Sequence, residues 1–563
     1  MTSTSIRARN LAAAISMALA AAGLHAATIT VDSDDDSPDS PWCNLRNALK
    51  AVNDGSTLGV AGCSAAVSGD PFGTNDTIIL AGLSPITLTQ GALTVTASSV
   101  TINATESIPP PFAQTSAGSY QYQTINAAGG SRVLAIGDGV TFSANGLTLT
   151  GGQTTENGGG VAIGIGATAV LTGCSISGNI TTAYGGAIYA APSSTLTLTD
   201  SVVSGNASRI GGALFASSSA VTVTNTSIDH NDATYAGGIY ALSGALVLDK
   251  ANIFNNSART YGGGVAVTNG ALTTTNSRVV ANTGGRGGGM LLSGVTGTIT
   301  RSTIAGNAAS CSFICAGALL LDRSMLAVSD STLSENLASG HGSYMAGGVS
   351  VSSSTATFVN STISGNVGAG DRAISGAFWE QHAGDGNGNG LTLINTTVTN
   401  NTAVAIYGTA AGGVLLGSFH FSPPPPSSNT LDVRNSIVSG NAPAGSDIVL
   451  DTYNRSLTAQ YSLLGSAQNI AAFNDPANQN IFSDSPALGP LQDNGGPTRT
   501  HALLPGSPAL SAGSTGLAAF SGQPLNFDQR GSVYARTFSG TIDIGAFEDQ
   551  RDRIFPSGFE PGP

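Results

Sequence analysis

An asparagine returns along most of this chain at a nearly fixed interval. Its ten stations are Asn179, Asn206, Asn231, Asn256, Asn282, Asn307, Asn336, Asn366, Asn401 and Asn441, spaced by 27, 25, 25, 26, 25, 29, 30, 35 and 40 residues. Three residues before each stands an aliphatic side chain, from Ile176 and Val203 to Val398 and Val438. Six before, Asp200, Asn225, Asn276, Asp330, Asn360, Asn395 and Asn435 recur, with Gly173, Lys250 and Arg301 in the other places. Alternating runs such as "TLTLT" ahead of Asp200 and "VTVT" ahead of Asn225 read as β-strands. A unit of this size cannot bury an apolar face alone and does so by stacking on its copies. The period therefore predicts an all-β, parallel solenoid. The stations read as corners: Asn tolerates the left-handed backbone of a sharp turn, and stacked amides can bond along the axis. The Gly-Gly pairs that follow supply turn geometry closed to residues with a Cβ.

Composition narrows the class of partner. The chain has 563 residues, a net charge of −13, only 9% charged residues and 41% apolar ones. That balance argues against a disordered polyelectrolyte. With no Lys/Arg patch to displace counterions, nucleic acid is not an expected partner. Arg7 and Arg9 precede an apolar run from Leu11 to Leu24, and small residues surround Ala26 and Ala27. This pattern reads as a signal peptide over residues 1–26, the apolar run being too short to span a membrane. The mature chain is expected to be exported, extracellular or on an outer-membrane surface, without a transmembrane segment. Cys43 with Cys63, and Cys311 with Cys315, are the disulfide candidates; Cys174 is left over.

"GGAIYA" (185–190) and "GGALFA" (211–216), with the recurring aliphatic-x-x-Asn, resemble the GGAI and FxxN repeats of chlamydial polymorphic outer membrane proteins. More broadly they resemble pectate-lyase-type folds. The resemblance covers roughly residues 140–445 and implies a right-handed single-stranded parallel β-helix, whose repeats are expected over residues 106–445. Residues 28–54 look like the CSLREA module, matching at Cys43, Leu45 and Arg46 and departing at Asn44 and Asn47. "LGPLQDNGGPTRTHALLPGSPAL" (488–510), "DQRG" (528–531) and "IDIGAFE" (542–548) resemble the choice-of-anchor Q module. Residues 549–563 resemble short tails of some exported bacterial proteins. These likenesses imply export and surface association, and no particular reaction.

Both ends are expected to cap the solenoid. Leu45, Ala48, Leu49 and Val52 fall at helical spacing, so a short amphipathic helix can cover the first coils within residues 27–105. Residues 446–548 hold the last coils and a Pro- and Gly-rich C-terminal cap.

The irregularities of the repeat point to candidate sites. From station to the next small-residue pair the interval is 6, 5, 6, 6 and 5 residues, reaching Gly185, Gly211, Gly237, Gly262 and Gly287. It then becomes 9, 11, 9 and 11, reaching Ala316, Gly347, Ser375 and Gly412. Insertions thus collect at one corner and are expected to wall one edge, a usual binding place in solenoids. That wall holds Cys311, Cys315, His341, Tyr344, Asp371 and Arg372. A second set of insertions holds Trp379, Glu380, His382 and Asp385, then "SFHFSPPPPSS" (418–428). Trp379 is expected to serve as a stacking platform for a sugar, with Asp371, Arg372, His341 and Tyr344 as further binding candidates. Glu380, His382 and Asp385 could act as acid, base or sugar-binding groups, against the simpler reading of a solvated loop.

Other motifs carry less. "DGNGNG" (385–390) opens like a calcium loop, but Thr396 stands where a bidentate Glu is needed. Asp34 to Asp36 read as an acidic, flexible terminus. Neither a metal nor a cofactor is expected. Arg209, Arg259 and Arg286 line the short-corner coils as a modest cationic strip, and Asp200 and Asp330 read as structural. The leading function is non-catalytic: binding of glycans or cell-surface proteins, or a structural role. The alternative is a polysaccharide lyase or glycoside hydrolase. The residues after Asn441 lack the serial amphipathic strands of a membrane barrel, so a self-contained autotransporter is not expected.

Overall fold

The computed structural model describes residues 26–69, 72–80, 82–104, 123–341, 344–382, 388–418, 429–450, 455–467 and 470–550. The proposed leader up to residue 25, Asp385 and the tail from residue 551 lie outside them, as does the side chain of His382.

The chain winds into a right-handed parallel β-helix of about 13 turns. A full turn carries four strands, for example Thr195–Thr199, Val202–Ser204, Ala207–Ile210 and Leu214–Ser217. Copies stack into sheets of 16, 15, 10 and 13 strands. Register is kept from turn to turn: Leu198 pairs with Val223, and Val223 with Leu248. All three are fully buried. Each such side chain contributes about 1.5–3 kcal/mol relative to exposure, and the alternating Thr residues take the outer face.

The stations form a buried amide ladder. Asn206 donates Nδ2 to Asn231 Oδ1 at 2.9 Å, and Asn231 to Asn256 at 2.9 Å. The same Oδ1 atoms accept the backbone N–H of the preceding station, as from Asn206 to Asn231 at 3.0 Å. The ladder runs from Asn179 to Asn441, where Asp447 Oδ1 receives the last Nδ2 at 2.7 Å.

One part of the corner reading needs correction. No station has a positive φ. The left-handed residues are the one before each station, including Gly205, His230, Ala281 and Glu335, and the one six before, including Asp200, Lys250 and Arg301. The station's own side chain must point inward to reach its neighbours, so its flanks make the bend. This explains the Asp/Asn preference six residues upstream: those types enter the left-handed region most readily. Close approach of turns restricts the Gly pairs as well, since a Cβ on Gly212 would lie 2.3 Å from the Gly237 carbonyl oxygen.

At the N-terminal end a helix, Leu45–Asp54, covers the first turn with Leu45, Ala48, Leu49 and Val52 buried. Asn44 caps it, accepting the Asn47 N–H at 2.9 Å, and Cys43 is bonded to Cys63. The acidic cluster beside it is not a flexible terminus. Asp36 is buried, bonded to Arg46 Nε at 2.8 Å and to the N–H groups of Thr89 and Gln90 at 2.6 and 2.9 Å.

The other end differs from the expected cap. Ile470 and Phe473 close the core. The segment from Leu488 instead folds back along the outer face of the 15-stranded sheet. Gln529 Nε2 donates to Thr332 Oγ1 at 2.9 Å, Thr362 Oγ1 donates to Gln529 Oε1 at 2.6 Å, and His501 Nε2 meets Ser364 Oγ at 2.8 Å. Asp528 holds Arg530 at 2.6 Å, and Tyr534 and Phe547 lie on either contact side of that guanidinium at 3.7 and 3.8 Å. The "DQRG" and "IDIGAFE" residues therefore buckle a lateral strap onto the coils.

Candidate functional site

The insertions at the long corner are ordered strands, not loops. Ile314–Ala316, Tyr344–Ala346, Ala373–Ser375 and Ala410–Ala411 form their own four-stranded sheet. Each is the second limb of an arch whose first limb, such as Ala308–Ser310 or Leu337–Ser339, belongs to the 10-stranded sheet. Ala309, Cys315, Ala338, Met345, Ile374 and Ala403 make a small core between the limbs. Cys311 is bonded to Cys315 at the first arch.

This arch stack roofs part of the 13-stranded sheet. One outward-facing row crosses that sheet from Ala135 and Ala162 through Tyr189, Phe215 and Tyr240 to Leu291, Leu320, Trp379 and Leu415. Ala316, Ala346 and Ala411 of the roof pack with Leu291, Leu320, Trp379 and Leu415. Farther from the arches, from Tyr240 back to Tyr189, aromatic side chains take over the row. Tyr189 and Phe215 stack at 5.8 Å between ring centres, and Phe215 and Tyr240 at 5.6 Å, nearly parallel. Tyr184 flanks Phe215 at 4.9 Å.

Tyr189 ends the run, because the next residue in the row is Ala162. A hollow of about 390 Å³ opens there, lined by Arg132, Ala135, Asp138, Glu156, Ala162 and Tyr189 among others. Arg132 and Glu156 form an ion pair at its side. Asp138 Oδ1 accepts the Ile165 N–H at 2.7 Å and leaves its exposed carboxylate with further acceptor capacity. The hollow thus offers an apolar floor, an aromatic face and both hydrogen-bond donors and acceptors, the composition of a small-ligand site.

The residues singled out in the sequence fall elsewhere. Trp379 and Glu380 sit in the strand Phe378–His382, within the regular sheet and not in an insertion. Trp379 is 1% exposed and stacks on Tyr344 at 5.1 Å, so it is a packing residue under the roof and not an open platform. Glu380 points into the main core, in register with the core residues Val351 and Leu416. It is fully buried, neither carboxyl oxygen has a well-formed hydrogen bond among the described residues, and burial pushes its pKa well above the usual range, offset only in part by the Thr430 main chain. His341 and Arg372 are exposed and Asp371 half-buried on the arches. Arg372 bonds Tyr344, whose pKa burial raises. The structure therefore joins Tyr344, Trp379 and Arg372 but separates them from Glu380. Cys174 is a buried free thiol, its pKa pushed up to about 11 by burial.

Sequence reasoning missed Tyr189, Phe215 and Tyr240 as a site. The signal was present: in "GGAIYA", "GGALFA" and "GGIYA" an aromatic residue follows the Gly pair at nearly the same place. The family model for the right handed beta helix region matches residues 121–279 and 211–382, which contain this whole row of rings. No curated protein matches the chain.

Proposed function

We propose that this is an exported β-helix protein that binds glycan chains without cutting them, on the bare part of the 13-stranded sheet. The observation carrying this reading is the change in one row of residues. Under the arches it is apolar and roofed; beyond them it is aromatic, with Tyr189 and Tyr240 partly exposed and Phe215 buried between its neighbouring rings. A sugar ring stacked on Tyr189 would extend the run of rings over Ala162, with its hydroxyls facing Asp138, Glu156 and Arg132. Exposed Arg209 lies in the strand Ala207–Ile210 of the 10-stranded sheet, and exposed Arg259 just after the strand Ser257–Ala258 of the same sheet. Binding should be measured by calorimetry or on a glycan array with the intact protein. Tyr189→Ala should weaken binding at least about tenfold, the equivalent of about 1.4 kcal/mol. Absence of glycan binding, or binding unchanged by Tyr189→Ala, defeats the proposal.

A hydrolytic reading draws on one observation, that Asp138 and Glu156 line the same hollow. Paired carboxyl groups are what glycoside hydrolysis uses. Release of reducing ends by the wild type, lost in Glu156→Gln, would put this reading first.

A further inference from the structure

The described chain enters the fold through a buried polar contact. Ala27–Thr30 forms a strand between Val67–Gly69 and Asp76–Ile79. Ala27 is 0% exposed and Asp76 is 1% exposed. Asp76 Oδ1 accepts the Ala27 N–H at 2.8 Å. The Gly73 N–H reaches both carboxylate oxygens at 3.3 Å. Among the described residues, no Arg, Lys or His forms an ion pair with Asp76.

A carboxylate buried against amides alone is expensive, and it is stabilised by a cation. Asn would accept the same N–H groups through its own oxygen without burying a charge. The atom nearest to supplying that cation is the Ala27 nitrogen itself. As an amide it is neutral; as a chain terminus it is an ammonium group, with more donors and a full charge. Only cleavage of the bond before it makes that change. The sequence leaves two bonds open, since a cut after Ala26 and a cut after Ala27 both follow a small residue.

We infer that the leader is removed between Ala26 and Ala27, and that the α-ammonium group of Ala27 then forms a buried ion pair with Asp76. A leader peptidase adds water across the Ala26–Ala27 bond: Ala26 leaves with a new carboxylate, and the nitrogen of Ala27 takes up protons to become the ammonium group. A cut one residue later would remove the nitrogen that Asp76 holds. The cut would thus complete the first strand of the solenoid, coupling processing to stability of the N-terminal end. The inference rests on the export reading but not on glycan binding.

Intact mass and N-terminal sequencing of the protein recovered from an exporting host test the bond. A first residue of Ala27 is expected. An uncut leader overturns the export reading and this inference with it; a cut at any other bond overturns this inference alone. The ion pair is tested without export. A fusion that releases Ala27 as the first residue is compared with a chain carrying a short Gly-Ser extension before Ala27, each with Asp76 and with Asp76→Asn. The free Ala27 chain should melt several degrees above the extended one, and Asp76→Asn should abolish most of that difference. Equal melting of the two wild-type chains overturns the ion pair, as does an equal loss in both on Asp76→Asn. The comparison of the two wild-type chains stands even where Asp76→Asn fails to fold.

Discussion

Tyr189, Phe215 and Tyr240 hold the same outward row as Leu291, Leu320 and Trp379, yet the two groups live in different surroundings. The first group lies beside corners of 5 or 6 residues, the second largely beside corners of 9 or 11. Three to six additional residues are enough to build a second strand and a small core, and that core covers the sheet. Chain length at one corner therefore decides where a uniform scaffold gains a second layer. The extra residues, which look like binding loops in the sequence, do the opposite: they shield. Function is then sought where the repeat is shortest.

The amide ladder should be indifferent to this difference, which makes it the reference for all other substitutions. Asn231 lies in a short-corner turn and Asn336 in a long-corner one. Each accepts the backbone N–H of the preceding station at 3.0 Å, and each donates to a carbonyl one turn back, Val203 at 2.9 Å and Ile304 at 3.0 Å. Asn231→Ala and Asn336→Ala should each cost about 3–5 kcal/mol, from an orphaned buried N–H and the lost bonds. Chemical denaturation followed by circular dichroism checks this. A much smaller loss at Asn336 would mean that the arches brace the stack there.

The row itself should respond oppositely in the two regions. Trp379→Ala removes a buried indole stacked on Tyr344 and should cost about 3–5 kcal/mol, with no direct effect on a ligand in the hollow. Tyr189→Ala removes a half-buried ring at the end of a stack and should cost only about 1 kcal/mol while weakening glycan binding. Thermal melting and calorimetry on the two variants separate these outcomes. Loss of binding in Trp379→Ala with Tyr189→Ala unaffected would move the site under the roof.

How much of this could be read from sequence follows the physics of each element. The ladder and the helix Leu45–Asp54 are legible because period and amphipathic spacing are chain-local. The left-handed corners are legible six residues before a station, where Asp and Asn gather. They are legible one residue before it as well, where Gly or Asn stands at most stations, and hidden only at His230, Ala281 and Glu335, which adopt the same backbone through tertiary constraint. Phe378–His382 misleads for a specific reason. Its alternation places Phe378 inward, Trp379 outward and Glu380 inward, and a charged type at an inward position conceals the strand. The lateral strap is not legible at all, since Gln529 and His501 meet partners more than a hundred residues away.

That inward glutamate supplies an effect of opposite sign, a gain in stability that depends on pH. Glu380 is held protonated by burial, with only the Thr430 main chain, among the described residues, offsetting the cost. In the unfolded chain the same carboxyl ionises near its ordinary value of 4.5. The folded state therefore keeps a proton that the unfolded state releases. Stability from this group is full below pH 4.5 and is lost as pH rises toward its raised folded value. Glu548 adds to the same trend, its pKa raised to about 8 chiefly by burial. Glu380→Leu should relieve an unsatisfied buried polar group and raise stability at pH 7 by about 1–3 kcal/mol. At pH 4 its advantage should shrink, because the wild-type acid is then neutral in both states. Melting temperatures of wild type and Glu380→Leu between pH 4 and 8 check both statements. A pH-independent gain would mean that packing alone is at stake. A loss at pH 7 would mean that the carboxyl group has a partner worth more than its burial costs, and would return Glu380 to the candidates for chemistry beneath the roofed half of the row.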